Sequence, residues 1–339
     1  MTLIMLYVTK KMSKEKFLFF ANIYTKVKIF MNILLAGIVA RFLYVKIPIW
    51  SWGKMRLLAL VFFVIISTID SYLIFRRIKK LRQLSISDVE YLWNYVRNTI
   101  IMLGLFLIVA QLKYFVKDAE DYIFLGTCVI SVWAYQYIMP YIMKATNKTR
   151  AIEMNNIKEV LLKTSGIQNK FKIYSYEGKS NKSANAVVVG TCINRHIFIS
   201  DYFIENTSEE EVVAILCHEC GHIKNCDLEK RIIFADIAMI LFFILTCVMD
   251  LLKIGFVGGS ILLLVLFGLG LYIYIMMQQK QELRADRFAV SVIGNEEMFI
   301  SALIKLYEMN DMLKKNNKFF ELLSTHPQLQ VRIDNLCDK

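Results

Sequence analysis

The sequence predicts a mainly α protein: a polytopic membrane helix bundle of about six spans with a cytoplasmic α+β domain interrupted by the last pair of spans. Three observations lead there. Of the 339 residues, 56% are hydrophobic and only 21% charged, and mean hydropathy is +0.46, too apolar for a soluble chain of this length. Apolar runs near the ~20 residues needed to cross a bilayer recur along the chain. Basic and acidic loops alternate between them, as successive crossings require. The excess of 41 Lys and Arg over 29 Asp and Glu sits in segments flanking apolar runs, so it reads as orientation and excludes a nucleic-acid partner. Seven cysteines in no repeating framework fit reduced thiols better than a secreted disulfide scaffold.

Residues 1–143 form the N-terminal membrane region, with about four transmembrane helices. Lys10, Lys11, Lys14, Lys16, Lys26 and Lys28 stand against Glu15 alone, and no small-residue cleavage site follows. This start reads as cytoplasmic and uncleaved rather than as a signal peptide. The first span covers 30–49 and carries Arg41 and Lys46 in its second half, which suits a tilted or partly interfacial helix. The second, 57–75, ends at a basic run from Arg76 to Arg82 that marks a cytoplasmic loop. The third, 99–116, turns outward through Asp118, Glu120 and Asp121 into the fourth, 122–143. Lys144, Lys148 and Arg150 bring the chain back to the cytoplasm.

Residues 144–230 change character. Ile152, Ile157 and Val160 to Leu162 suggest an amphipathic helix, and 171–176, 186–189 and 196–200 suggest strands, with a polar loop at 177–183. Thr207-Ser208-Glu209-Glu210-Glu211 supplies an N-cap with Glu at the capping-box position before a helix that carries His218-Glu219-Cys220-Gly221-His222. Histidines four apart share one helical face and can share a metal, with Glu219 beside it as a potential base. Residues 231–278 form a membrane hairpin of spans 232–252 and 254–277, whose glycines at 255, 258, 259, 268 and 270 favour close packing. Residues 279–339 are polar and helical in pattern. A catalytic zinc takes three protein ligands, so the histidines need a third, and Glu282 is the candidate. Asp286, one turn later, is placed to accept the other ring N–H of a ligand histidine.

The set His-Glu-Cys-Gly-His, then a hairpin, then Glu282-Leu-Arg-Ala-Asp286-Arg-Phe-Ala, then Ser324-Thr-His326-Pro with Arg332-Ile, resembles the gluzincin zinc metalloendopeptidases of the HtpX and CAAX prenyl protease type. Asn185-Ala186 and the strand leading to Ser200-Asp201 extend the likeness, which covers roughly residues 150 to 336. Cys220 departs from the more usual aliphatic residue.

The resemblance implies that one zinc ion per chain is bound by His218, His222 and Glu282, and that Glu219 is the general base. Asp286 would support a ligand histidine, and His326 and Arg332 would stabilise the oxyanion or orient substrate. A local reading of those two is also open, with His326-Pro327 as a helix start and Arg332 paired to a core carboxylate or Asp334. The strand from Asn185 to Val189, with Asn185, Ala186, Val187 and Val188 as contacts, would take an extended peptide by strand addition.

The expected substrates are membrane-associated proteins or peptides, and the expected place is a bacterial cell membrane with the site facing the cytoplasm. Two rival readings remain at this stage: a regulatory membrane metalloprotease acting on a cytoplasmic regulator, and a catalytically silent membrane scaffold. Cys217, Cys220 and Cys226 lack a matching second pair and read as packing residues. Asp70, Asp236 and Asp250 lie near span ends, Asp236 being the one placed to line a substrate path. His196 reads as a strand residue.

Overall fold

The structure, a computed structural model, describes residues 2–25, 52–115, 121–152, 171–312 and 324–337. The expected first span at 30–49, most of the amphipathic stretch from 152 to 162 and most of the acidic turn at 117–121 lie outside those residues. The chain divides into two compact units, one built on residues 1–107 with 180–182 and 311–313, the other on the remainder.

The first unit is helical: α1 (Thr2–Val8), α2 (residues 14–25), α3 (Trp52–Arg82) and the first part of α4 (Asp88–Phe115). Phe17 and Ala21 of α2 pack on Ile74 of α3. Arg77 lies 3.9 Å from the centre of the Phe17 ring and donates to the carbonyls of Leu6 and Thr9. It thereby satisfies acceptors that the end of α1 would otherwise leave open. Phe75 stacks on Tyr91 to join α3 to α4.

The second unit contains α5 (Asp121–Thr146) and a four-stranded sheet of β1 (Arg150–Ala151), β2 (Lys172–Tyr176), β3 (Ala186–Val189) and β4 (His196–Ser200), in the order β1-β2-β4-β3. The β-branched and aromatic runs Ala-Val-Val-Val and His-Ile-Phe-Ile-Ser suit a pleated surface. Their places in the sheet differ. β4 pairs parallel with β2 and antiparallel with β3, and its Ile197, Phe198 and Ile199 are fully buried. β3 is the edge strand and only half buried.

Ser200 caps the short α6 (Asp201–Asn206) by accepting from the amide of Phe203. Next comes α7 (Glu209–Lys224), which opens with a complete capping box. Ser208 accepts from the Glu211 amide, and Glu211 accepts from the Ser208 amide at 2.9 Å. Cys226 in the left-handed region (φ 51°) turns the chain into α8 (Asp227–Leu251), and α9 (Phe256–Ile293) follows. α10 (Glu296–Met309) and α11 (Leu329–Cys337) complete the described elements. The core gathers Phe203, Leu216, Phe299 and Leu303 with the inner face of the sheet.

Two helices among the described residues are long and apolar enough to cross a membrane, Asp227–Leu251 and Ile261–Ile293. They coincide with the segments expected to form the hairpin, but they overrun the expected limits of 231 and 278. α9 is 38 residues long, ~57 Å at 1.5 Å per residue, against a hydrocarbon core of ~30 Å. No Gly or Pro interrupts it between Leu271 and Ile293, so the helix continues unbroken into the segment with Glu282 and Asp286. Gly294 then ends it in the left-handed conformation (φ 70°).

Candidate metal centre

Two helices meet face to face to build the site. A Cβ on Gly221 of α7 would stand 3.0 Å from the Ala285 Cα and 3.1 Å from a Phe288 ring carbon on α9. Gly221 and Ala285 are therefore small because the helices are close. That approach brings the His218 and His222 face of α7 against the Glu282 and Asp286 face of α9.

His222 Nε2 lies 3.2 Å from His218 Nε2. Glu282 approaches both, with Oε1 3.4 Å from His222 Nε2 and Oε2 3.6 Å from His218 Nε2. The three residues offer ligand atoms within 4.8 Å of one another, and all three are buried or nearly so. Tetrahedral zinc with bonds of ~2.05 Å would separate its ligand atoms by ~3.3 Å, so these spacings fit such an ion.

The far sides of the imidazoles support the same reading. Asp227 Oδ2 accepts from His222 Nδ1 at 2.9 Å, and Asp286 Oδ1 lies 2.8 Å from His218 Nδ1, close but off the line of the ring N–H. With a proton on each Nδ1, both Nε2 atoms present lone pairs to each other and to a carboxylate. Three acceptors facing one another need a cation between them.

Without a metal, the carboxylates around the two imidazoles favour their protonated forms. Burial disfavours a charged His222, but the hydrogen bond to Asp227 and the neighbouring Glu282 outweigh it and push the imidazole up to about 10. His218 is raised for the same reason, with Asp286 and Glu282 overcoming burial. Arg332 is held above its ordinary value because Asp286, and then Glu282, more than offset the cost of burying the guanidinium.

Among the other expected site residues, Glu219 is buried beside the ligands, and its Oε2 accepts from the amide of Val188 at 3.1 Å. His326 is half exposed and turns Nδ1 to Glu282 Oε2 at 3.0 Å.

Arg332 differs from its expected place at the oxyanion. Its Nε and Nη2 pair with both oxygens of Asp286, at 2.8 and 2.6 Å, and Nη2 stands 3.8 Å from Glu282. It is 5% exposed, so the guanidinium is committed to a core carboxylate.

The edge strand differs in part as well. Ser200 N donates to Asn185 O and Asn185 N to Ser200 Oγ, so the backbone of Asn185 faces β4, and by alternation so does that of Val187. Ala186 and Val188 are left facing the open edge.

Asp227 has no part in the sequence reading, although it is fully buried and holds His222. It also pairs with Arg284. It lies five positions after His222 and a turn intervenes, so helical spacing gives no signal for it. A polar residue at the start of a long apolar helix was the available hint. Cys217 and Cys220 are buried in the core, as packing residues are. His196 lies against Tyr174 on the sheet, and Asp236 accepts from the Trp133 indole at 2.8 Å.

The family model for peptidase family M48 matches residues 148–339. The CAAX prenyl protease 1 homolog of Arabidopsis thaliana is 26% identical over 285 residues, which cover 72% of this chain and 64% of that protein. Protease HtpX of Buchnera aphidicola is 25% identical over 225 residues, 57% of this chain and 75% of that one. The chain thus spans less than two thirds of the plant relative's length. The crystal structure of S. mikatae Ste24p superposes with a TM-score of 0.66 over 95% of this chain and 85% of that one, at 17% identity, which shows a shared fold. The chain belongs to peptidase family M48, a family of metalloproteases.

Proposed function

We propose that the chain is an integral membrane zinc-dependent metalloendopeptidase that hydrolyses peptide bonds of membrane-associated proteins or peptides. The observation that carries this reading is the convergence of His218 Nε2, His222 Nε2 and Glu282 at 3.2 to 3.6 Å, with Glu219 buried beside them. One zinc ion per chain would supply Lewis acidity and a water activated for attack.

The chain's own residues do the rest. Glu219 takes a proton from the attacking water and passes it to the leaving amine. The Val188 amide holds the Glu219 carboxylate in place, so the base is indexed against the strand that receives substrate. An extended peptide adds to β3 through the outward backbone groups of Ala186 and the carbonyl of Val188, which gives affinity with little sequence preference. His326, half exposed and resting on Glu282, is the side chain positioned to meet the developing oxyanion. Arg332 holds Asp286, and through it His218.

On this reading the site faces the cytoplasm, which the alternation of basic and acidic segments along the sequence supports, together with the basic residues from Arg76 to Arg82, which form the end of α3 rather than the loop expected from sequence. Engineered cysteines among residues 76–82 should label from the cytoplasm, and labelling from outside would invert this topology.

The chemistry is tested by Glu219→Gln and Glu282→Ala. The first should keep its zinc and lose cleavage, read as new peptide termini in membranes from cells carrying each form. The second should lose zinc from the purified protein. Cleavage that persists in Glu219→Gln would remove Glu219 as the base, and full zinc occupancy in Glu282→Ala would remove Glu282 as a ligand.

A further inference from the structure

The connection from β3 to β4, residues 190–195, is tied to three helices of the same unit. Gly190 has φ +101°, and a Cβ there would lie 2.6 Å from Asn194 O and 2.8 Å from Pro140 Cγ. Asn194 folds the turn by accepting from the Thr191 amide at 3.1 Å, and its Nδ2 donates to Tyr137 O of α5 at 2.6 Å. That carbonyl lies in the turn of α5 that Pro140 disturbs. Arg195, 7% exposed, reaches the other way. Its Nη1 donates to Ile223 O at 2.8 Å, and its Nη2 pairs with Glu229 of α8.

Ile223 follows His222 in the last turn of α7, and its carbonyl accepts from the Cys226 amide at 3.1 Å as well as from Arg195. The β3–β4 hairpin is therefore pinned to the histidine helix at two points: on the edge strand by the Glu219 carboxylate on the Val188 amide, and at the end of the connection by the Arg195 guanidinium on the Ile223 carbonyl. The first contact involves the base itself. The second touches nothing that reacts.

We propose that Arg195, braced by Glu229, is a positioning residue that sets the distance of the substrate-receiving edge strand from the histidine helix. This rests on the reading of β3 as the substrate strand. A guanidinium suits the task because its fork serves a carbonyl and a carboxylate at once, which a lysine ammonium on its flexible stem does poorly. Loss of Arg195 should loosen β3 while leaving the metal ligands in place, since their partners are Asp227 and Asp286.

The test uses the zinc-loaded protein in lipid nanodiscs, with Arg195→Lys, Arg195→Met and Glu229→Gln, and with Arg287→Lys, an exposed arginine that meets Asn335, as a control. Three quantities are read: backbone hydrogen exchange over residues 186–200, zinc per chain, and kcat and KM on fluorescein-labelled casein. Arg195→Met should speed exchange of the Val187 and Val189 amides by about tenfold. It should also raise KM by about fivefold, with kcat and zinc content within about twofold of the wild type. Arg195→Lys should recover part of each change, and Glu229→Gln should give the same pattern more weakly. Should Arg195→Met not fold, those two milder variants decide the matter.

Exchange that stays at the wild-type rate in these variants overturns the proposal. So does a fall in kcat with zinc loss at constant KM, because that pattern belongs to a damaged metal site. A wild-type chain that holds zinc and leaves casein intact counts against the proteolytic reading, while the exchange comparison still decides the role of Arg195.

Discussion

The two histidines of the centre have matching surroundings at first sight: each Nδ1 meets an aspartate, and each aspartate meets an arginine. His218 leans on Asp286 and Arg332, and His222 on Asp227 and Arg284. The arms differ in their access to water. Asp286 and Arg332 are 0% and 5% exposed, whereas the Arg284 side chain is 45% exposed above a fully buried Asp227. Removing one partner of the buried pair strands a charge in the core, while removing the exposed arginine lets water take its place. The same chemical motif thus serves as a structural keystone on one side and a replaceable brace on the other.

The largest effect should come from the buried arm. Arg332→Leu leaves Asp286 without its cation and should cost about 3 to 5 kcal/mol of stability, seen as a lower melting temperature of the zinc-free protein. A loss below ~1 kcal/mol would show that water reaches Asp286 and that the two arms are alike. Asp227→Asn keeps the shape of the second arm but weakens its hold on the imidazole, and zinc affinity should fall about 10- to 100-fold. Titration against a competing chelator measures this, and unchanged affinity would detach Asp227 from the site.

Between the arms lies the helix contact at Gly221. Adding a methyl group there should cost about 1 to 3 kcal/mol by overpacking against Ala285 and Phe288, and a neutral Gly221→Ala would mean that α7 and α9 part easily.

The pH dependence of metal binding sharpens the comparison further. Without metal, His222 holds its proton to about 10, so zinc must displace that proton at neutral pH. Affinity should therefore rise with pH from 6 to 8, by about tenfold per unit for each proton released, and a flat profile would show that the site is proton-free before zinc arrives. Smallest of all should be Arg284→Ala, under ~1 kcal/mol in stability. A loss as large as that of Arg332→Leu would erase the distinction drawn here.

Several of these groups could be read in the chain before it was folded, and several could not. The pairing of His218 with His222, the capping box of Ser208 and Glu211, the extended runs at 186–189 and 196–200 and the apolar hairpin all follow from spacings within a few turns or a few strand residues. Arg332 was open to two readings, oxyanion donor or partner of a core carboxylate. Asp286, 46 residues away, takes it as a bidentate partner.

Asp227 and Arg195 gave no comparable signal. Nothing near Asp227 in sequence marks it as the residue that would close on His222, and Arg195 looked like one more cation in a basic chain.

Sequence by itself determined the periodic features, because helical and strand repeats are set by local backbone geometry and hydropathy. It also determined the family, through motifs that keep their residue types across that geometry. Only the tertiary structure decided which acid meets which base, which face of β3 is left open, and that Glu219 rests on the Val188 amide. Those choices depend on the distance between segments that are remote in the chain. A buried charge must take whatever partner packing brings within reach.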